Sequence, residues 1–200
     1  MFQLRIHGRG GQGVVTAAEL VAIAAFLDGK YAQAFPSFGS ERMGAPVMAF
    51  CRISDREIRL REPVMRPDAL IVQDPTLLHQ VDLFAGLSSS GYLLLNSSQE
   101  LGELGLGDLP DRLPAGQIRT VPATEIALKE TGRPIPNAAL IGGLAALTGW
   151  VTLDAVRQAI GRKFPGRVGA ANADAAQAVY EAIRSRRPVG ERERNHAVAD

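Results

Sequence analysis

Phe2-Gln3-Leu4-Arg5-Ile6-His7-Gly8-Arg9-Gly10-Gly11-Gln12-Gly13-Val14 opens the chain. From Phe2 to Ile6 apolar and polar residues alternate, the period of a strand with two different faces. Gly8-Arg9-Gly10-Gly11-Gln12-Gly13 then keeps the G-x-G-x-x-G spacing with one glycine added. The following stretch, Val14 to Leu27, carries Ala, Leu, Val and Ile on every side of a helix, which predicts a helix buried beneath a sheet. Asp28-Gly29 ends it, glycine supplying a left-handed C-terminal residue. Strand, glycine loop and buried helix in this order open a doubly wound fold. The expectation is an α/β chain over residues 1–184, a single Rossmann-like doubly wound domain. Its sheet is mostly parallel, with a β-hairpin insertion and C-terminal helices.

Working outward, Tyr31 to Phe35 reads as the next strand, broken at Pro36. Ala45 to Ile53 is an apolar strand, Ser54-Asp55 a turn, and Glu57-Ile58-Arg59-Leu60-Arg61 alternates strictly, so these two are expected to pair as the hairpin. Short buried strands follow at Ala69–Val72, Tyr92–Leu95 and Ile118–Val121, with a helix from about Thr124. Leu101 to Gly116 mixes Gly, Leu, Asp and Pro without a clean period and is expected to be surface loop. Helices are expected at Asn137–Gly149, Leu153–Arg162 and Ala173–Arg186, with Thr152 or Asp154 capping the second. Residues 185–200 carry Arg186, Arg187, Arg192 and Arg194 with little to bury; they read as an arginine-rich tail, disordered or laid on a partner.

The 200 residues, 46% hydrophobic and 22% charged, are ordinary for one globular domain, and a net charge of +1 provides no global field for nucleic acid or an anionic membrane. Cys51 is the only cysteine, so no disulfide forms within the chain and no cluster or zinc site needing several thiolates from it. His7, His79 and His196 lie far apart. The longest apolar run holds Glu19 and has only fourteen residues, too few to span a bilayer. With no signal-peptide pattern at the start, the expected location is the cytoplasm.

Glycines let main-chain N–H groups approach a phosphate, and the helix N-terminus adds about half a positive charge. A nicotinamide-binding domain usually ends its second strand with a carboxylate that holds the ribose. Here that strand ends Gln33-Ala34-Phe35-Pro36, and Asp28 sits at the wrong end. A different pyrophosphate ligand fits better. The second candidate is Pro36-Ser37-Phe38-Gly39-Ser40-Glu41-Arg42-Met43-Gly44, whose Ser37, Ser40 and Arg42 supply donors at the carboxyl ends of the strands. Asp74, Asn96 and Ser97 follow buried strands directly and serve first as helix caps, as does Asn137 after Pro136. His7 and Cys51 read as structural. No nucleophile–base pair, paired-carboxylate pattern or metal-ligand spacing stands out.

The coupled loops, Gly8 to Val14 and Pro36 to Gly44, resemble the gamma subunit or gamma domain of the 2-oxoacid:ferredoxin oxidoreductases. The strands ending at Asp74 and Asn96 and the helix opening Pro136-Asn137-Ala138-Ala139 extend the resemblance over roughly residues 3 to 185. Many members carry an extra glycine where this chain has Ala45-Pro46. The resemblance implies a subunit of an enzyme that decarboxylates a 2-oxoacid such as pyruvate, transfers the acyl group to coenzyme A and reduces ferredoxin or a related acceptor. It implies that coenzyme A is contacted here, through Gly8, Gly10, Gly11, Gln12, Gly13, Ser37, Phe38, Gly39, Arg42 and Asn137. Thiamine diphosphate and the iron–sulfur clusters would sit on alpha, beta and ferredoxin-like delta partners. Two other readings of the residues stand beside it, a self-standing nucleotide-binding oxidoreductase of Rossmann type and a noncatalytic interaction module.

Overall fold

The computed structural model describes residues 1–37, 43–114 and 116–185. The alternation at the N-terminus becomes strand β1 (Phe2–Arg9), and the all-round apolar run becomes helix α1 (Val14–Leu27). Then come β2 (Tyr31–Pro36), β3 (Pro46–Ser54), β4 (Ala69–Val72), β5 (Tyr92–Asn96), a one-turn α2 (Leu109–Arg112) and β6 (Ile118–Val121). Helices α3 (Ala123–Thr131), α4 (Asn137–Thr148), α5 (Leu153–Lys163) and α6 (Gly166–Ser185) complete the order.

The sheet runs β2-β3-β1-β4-β5-β6. β1, β4, β5 and β6 pair in parallel, while β3 lies antiparallel to both β1 and β2. Five strands therefore share one direction, as expected of a mostly parallel α/β sheet, and the carboxyl ends of β1 and β2 face the same side.

The hairpin is present with a different partner. β3 pairs with the preceding β2, Tyr31 opposite Ser54 and Phe35 opposite Phe50, and its other edge is occupied by β1. No edge remains for residues 57–61, which form no strand. The Leu101–Gly116 stretch is likewise more than surface loop. Leu104, Leu106, Leu109 and Leu113 are all buried. They form an apolar cover over Leu70, Val72, Leu93, Leu95 and Ile118 on one face of the sheet.

The opposite face packs Leu4, Ile6, Cys51, Ile71 and Leu94 against α1, α4, α5 and α6. α4 approaches α6 closely because Gly142 has no side chain; a Cβ there would land on the Ala176 backbone. α6 begins seven residues before the expected Ala173. Its opening turns contain Gly166 and Gly169, which hide a helix from a propensity reading. The arginine-rich tail beyond Ser185 lies outside the described residues. Among the described residues no helix is long and apolar enough to cross a membrane.

Candidate functional site

The carboxyl end of β1 enters the glycine loop, and α1 starts directly after it. Gly11 and Gly13 both have positive φ, 93° and 68°, a region that glycine occupies without steric cost. Gly13 is the N-cap of α1 and offers no side chain to the helix, so the first N–H groups of α1 lack the cap that Ser or Asp would supply. That end of α1 has no acidic residue in its first turn. A Cβ on Gly13 would coincide with the Asn137 amide, and a Cβ on Gly8 would approach Val14 Cγ2 to 2.7 Å. Both glycines therefore serve close packing, of loop on α4 and of loop on helix.

The loop is braced from behind. Gln12 Oε1 accepts from the Arg9 backbone N–H at 2.8 Å, and Gln12 Nε2 donates to Asp74 Oδ2 at 2.9 Å. Arg9 donates from Nε to Asp74 Oδ2 at 3.2 Å, from Nη1 to the Gly44 carbonyl at 2.9 Å, and from Nη2 to Thr76 Oγ1 and Gln80 Oε1. Partial burial alone would raise the Asp74 pKa. Hydrogen bonds from Thr76 and Gln12 and the charge of Arg9 outweigh it and hold the carboxyl below its ordinary value. Gln12, expected to touch a ligand, instead has both ends of its amide bound within the chain.

The end of the second loop is stitched to the first. Gly10 N–H donates to the Ala45 carbonyl at 2.9 Å, and Gly44 N–H donates back to the Gly10 carbonyl at 3.1 Å. Ser37 anchors the loop's other end through its N–H to the Met48 carbonyl. Phe38, Gly39 and Arg42, with Ser40 and Glu41, lie outside the described residues.

Two grooves meet at Gly11, Gly13 and Thr16. One, of about 740 Å³, is walled by Gly10, Val14, Val15, Pro36, Ser37 and Val47. The other, of about 540 Å³, is walled by Arg133, Ile135, Asn137, Phe164, Arg167 and Val168. Of the expected site residues, Gly10, Gly11, Gly13, Ser37 and Asn137 line these grooves, whereas Gly8 and Gln12 stand behind them. Thr16, Arg133 and Arg167 are additions. Thr16 sits one turn into α1, and the arginines lie more than a hundred residues downstream, where no local pattern marks them.

Several of the residues singled out in the sequence also hold the backbone in place. Asn137 is the first residue of α4, one position past the expected cap; its Nδ2 donates to the Gly13 carbonyl at 3.4 Å and its Oδ1 accepts from Ala138 N–H. Asn96 accepts from Thr124 N–H and donates to the Gln73 carbonyl, fixing the start of α3. Asp74 caps the turn at Pro75 through Thr76 N–H, and Thr152 caps α5 through Ala155 N–H. Burial lowers the His7 pKa to about 3, helped by the Arg5 charge, and raises the Cys51 thiol to about 12. Neither is a proton carrier or thiolate near neutrality. Among the described residues no group of three His, Cys, Asp or Glu side chains is placed to hold a metal.

Residues 3–182 match the family described as pyruvate ferredoxin/flavodoxin oxidoreductase. The pyruvate synthase subunit PorC of Methanothermobacter thermautotrophicus is 49% identical over 183 residues, covering 92% of this chain and 96% of that protein. The common subunit gamma of the pyruvate/ketoisovalerate oxidoreductases of Thermococcus kodakarensis is 47% identical over 90% of this chain and 96% of its own length. Among solved structures, the pyruvate oxidoreductase subunit PORC of Thermotoga maritima superposes with a TM-score of 0.74 at 40% identity, over 90% of this chain and 95% of that one. The chain belongs to the pyruvate ferredoxin/flavodoxin oxidoreductase family, as a gamma subunit of a multi-subunit 2-oxoacid oxidoreductase.

Proposed function

We propose that this gamma subunit binds coenzyme A at the glycine loop, while thiamine diphosphate and the iron–sulfur clusters sit on alpha, beta and ferredoxin-like delta partners in a cytoplasmic complex. The complex passes electrons to ferredoxin or a related acceptor. The observation that carries the reading is the junction of two grooves at Gly11, Gly13 and the uncapped start of α1. Such a junction suits a pyrophosphate with a long substituent on either side, which is the build of coenzyme A. The absence of a carboxylate at the end of β2 disfavours a nicotinamide dinucleotide. The Thermococcus relative's name describes a subunit common to pyruvate and ketoisovalerate oxidoreductases. A part shared between two oxoacids fits a role toward the co-substrate they have in common. The single cysteine, buried in β3, supports the siting of clusters on other chains.

The test is Gly11→Val in the assembled enzyme. The position needs φ near +93°, and the side chain projects toward the Met43 thioether, a flexible neighbour. Acyl transfer to coenzyme A is expected to slow, with apparent affinity at least ~10-fold weaker as charge-assisted contacts to phosphate are lost. One-electron reduction by the 2-oxoacid without coenzyme A is expected to survive. Unchanged coenzyme A kinetics in an assembled variant make the loop purely structural.

A further inference from the structure

We propose that the free edge of β2 pairs with β2 of a second copy of this chain, antiparallel about a two-fold axis through Gln33, so that two sheets join into one. This pairing is independent of what the glycine loop binds.

Among the described residues β2 is the last strand on its side of the sheet, and its outer edge has no partner. Ser37 N–H donates to the Met48 carbonyl, and the β2–β3 register continues that pair through Phe35–Phe50, Gln33–Arg52 and Tyr31–Ser54. Those residues turn their backbone groups toward β3, so the N–H and carbonyl groups of Ala32 and Ala34 point outward. Proteins normally blunt such an edge with a charge, a bulge or an early proline. β2 contains no charged residue, pairs with β3 residue for residue, and meets proline only at its last position. Lys30, just before it, is engaged elsewhere, its Nζ donating to the Trp150 carbonyl at 2.8 Å.

What selects a second copy as the occupant is the strand itself. Tyr31-Ala32-Gln33-Ala34-Phe35 runs aromatic, Ala, Gln, Ala, aromatic in both directions, and a two-fold antiparallel pair meets a strand from both directions. With Gln33 opposite Gln33 of the second copy, each facing Ala32 and Ala34 exchange both of their N–H···O bonds. Tyr31, 53% exposed, then lies opposite Phe35 of the second copy, an aromatic cross-strand pair that extends the contact of Phe35 with Phe50 at 5.2 Å. On the other face, α1 lies over β2 and β3. A helix so placed sits about half a strand spacing inside the edge, so the joined sheet brings α1 and its copy to about 10 Å, an ordinary packing distance. Val15, Ala22 and Phe26 follow one side of α1, and Val15 shares a groove with Pro36 of β2, which turns that side toward the edge. Phe26 is 69% exposed, and the one charge on α1, Glu19, is already paired with Lys163.

The test is a cysteine placed at the axis, in the full chain and in the assembled enzyme. Cys51 is fully buried, so Gln33→Cys adds the one accessible thiol of this chain. Glutathione disulfide is expected to oxidise two such thiols on facing copies to one disulfide, itself reduced to two thiols, and to yield a covalent dimer of this chain. Tyr31→Cys or Phe35→Cys alone is expected to give none, because each stands about 13 Å along the strand from its own copy. In sedimentation velocity the wild-type chain is expected to dimerise. Ala34→Pro removes an outward N–H while leaving the β3 ladder whole, and is expected to weaken the dimer at least ~10-fold. Phe26→Glu is expected to dissociate it without touching the strand, so a fault confined to β2 does not decide the result. A monomeric wild-type chain with no disulfide from Gln33→Cys, alone or in the assembled enzyme, overturns the pairing. A disulfide from Tyr31→Cys instead overturns the register. A Gln33→Cys thiol shielded in the assembled enzyme without a disulfide places another subunit on this edge and overturns the second copy as its occupant.

Discussion

The two faces of the sheet are closed by different means. On one, β1 presents Phe2, Leu4 and Ile6 to four helices, and the interface is apolar, mostly aliphatic with Phe2 stacked on Trp150. On the other, the same strand presents Gln3, Arg5, His7 and Arg9, and irregular segments cover it. Arg5 Nη2 donates to the carbonyls of Leu83 and Ala85, each at 2.8 Å. Arg52, 1% exposed on β3, donates to the Glu62 carbonyl at 2.6 Å and to Gln3 Oε1. The helical face is held by area, which is non-directional. The loop face beside β1 is held by directed hydrogen bonds, which fix where a non-repetitive backbone lies. Arg9 continues that row into the site and pins both Gly44 and the Thr76 turn behind the glycine loop.

The comparison breaks most sharply in the helical face. Ile71→Ala, at a fully buried position, is expected to cost about 4 kcal/mol in chemical unfolding, with loss of global cooperativity before any local change. A cost below about 1 kcal/mol would mean that the helical layer does not carry the fold. Arg52→Ala is expected to cost less, about 2 kcal/mol, because it removes the packing of a buried side chain together with its donors to the part-buried Glu62 carbonyl and Gln3 Oε1. Its distinguishing signature is hydrogen exchange, rising first in residues 57–66 and not in α4.

His7 provides a pH-dependent version of the same test. Its folded pKa of about 3 lies below the ordinary value of 6.5, so the unfolded chain takes up a proton that the native chain refuses. The associated stability is complete above pH 6.5 and falls by about 1.4 kcal/mol per unit as the pH drops toward 3. His7→Gln is expected to flatten the acid limb of a stability–pH curve between pH 6.5 and 5. An unaltered slope would show that His7 is protonated in the folded chain. Least affected should be Lys163→Ala, which removes a half-exposed 2.7 Å pair with Glu19 and should shift stability by less than about 0.5 kcal/mol.

The sequence was legible wherever one period ruled. Phe2–Ile6, Val14–Leu27 and the short strands at Ala69, Tyr92 and Ile118 appear where alternation or all-round apolarity placed them. Residues 57–61 alternate as a strand should, yet pairing is a property of partners, and β3 had no free edge. The leucines of 101–116 follow no period because they descend onto the sheet one at a time from turns, so their burial was invisible locally. In the site, glycine positions were readable because left-handed backbone has few other occupants. The partners of Gln12 could not be read, since an amide beside a phosphate loop looks alike in sequence whether or not it is bound to Asp74. Arg133 and Arg167 become neighbours of Gly13 only through the packing of α4 and α6, which no local window contains.

The contact between Gly13 and Asn137 has a consequence for the order of folding. The two residues stand 124 positions apart. β1, α1 and the hairpin of β2 and β3 can find one another once the chain extends to Ser54, but the glycine loop has its final wall only after α4 docks. Closing so long a stretch of chain is entropically slow, and contacts of high sequence separation form late. The pocket is therefore a product of the last assembly steps, and a nascent or truncated chain lacking α4 would have a folded-looking N-terminal half with no competent site.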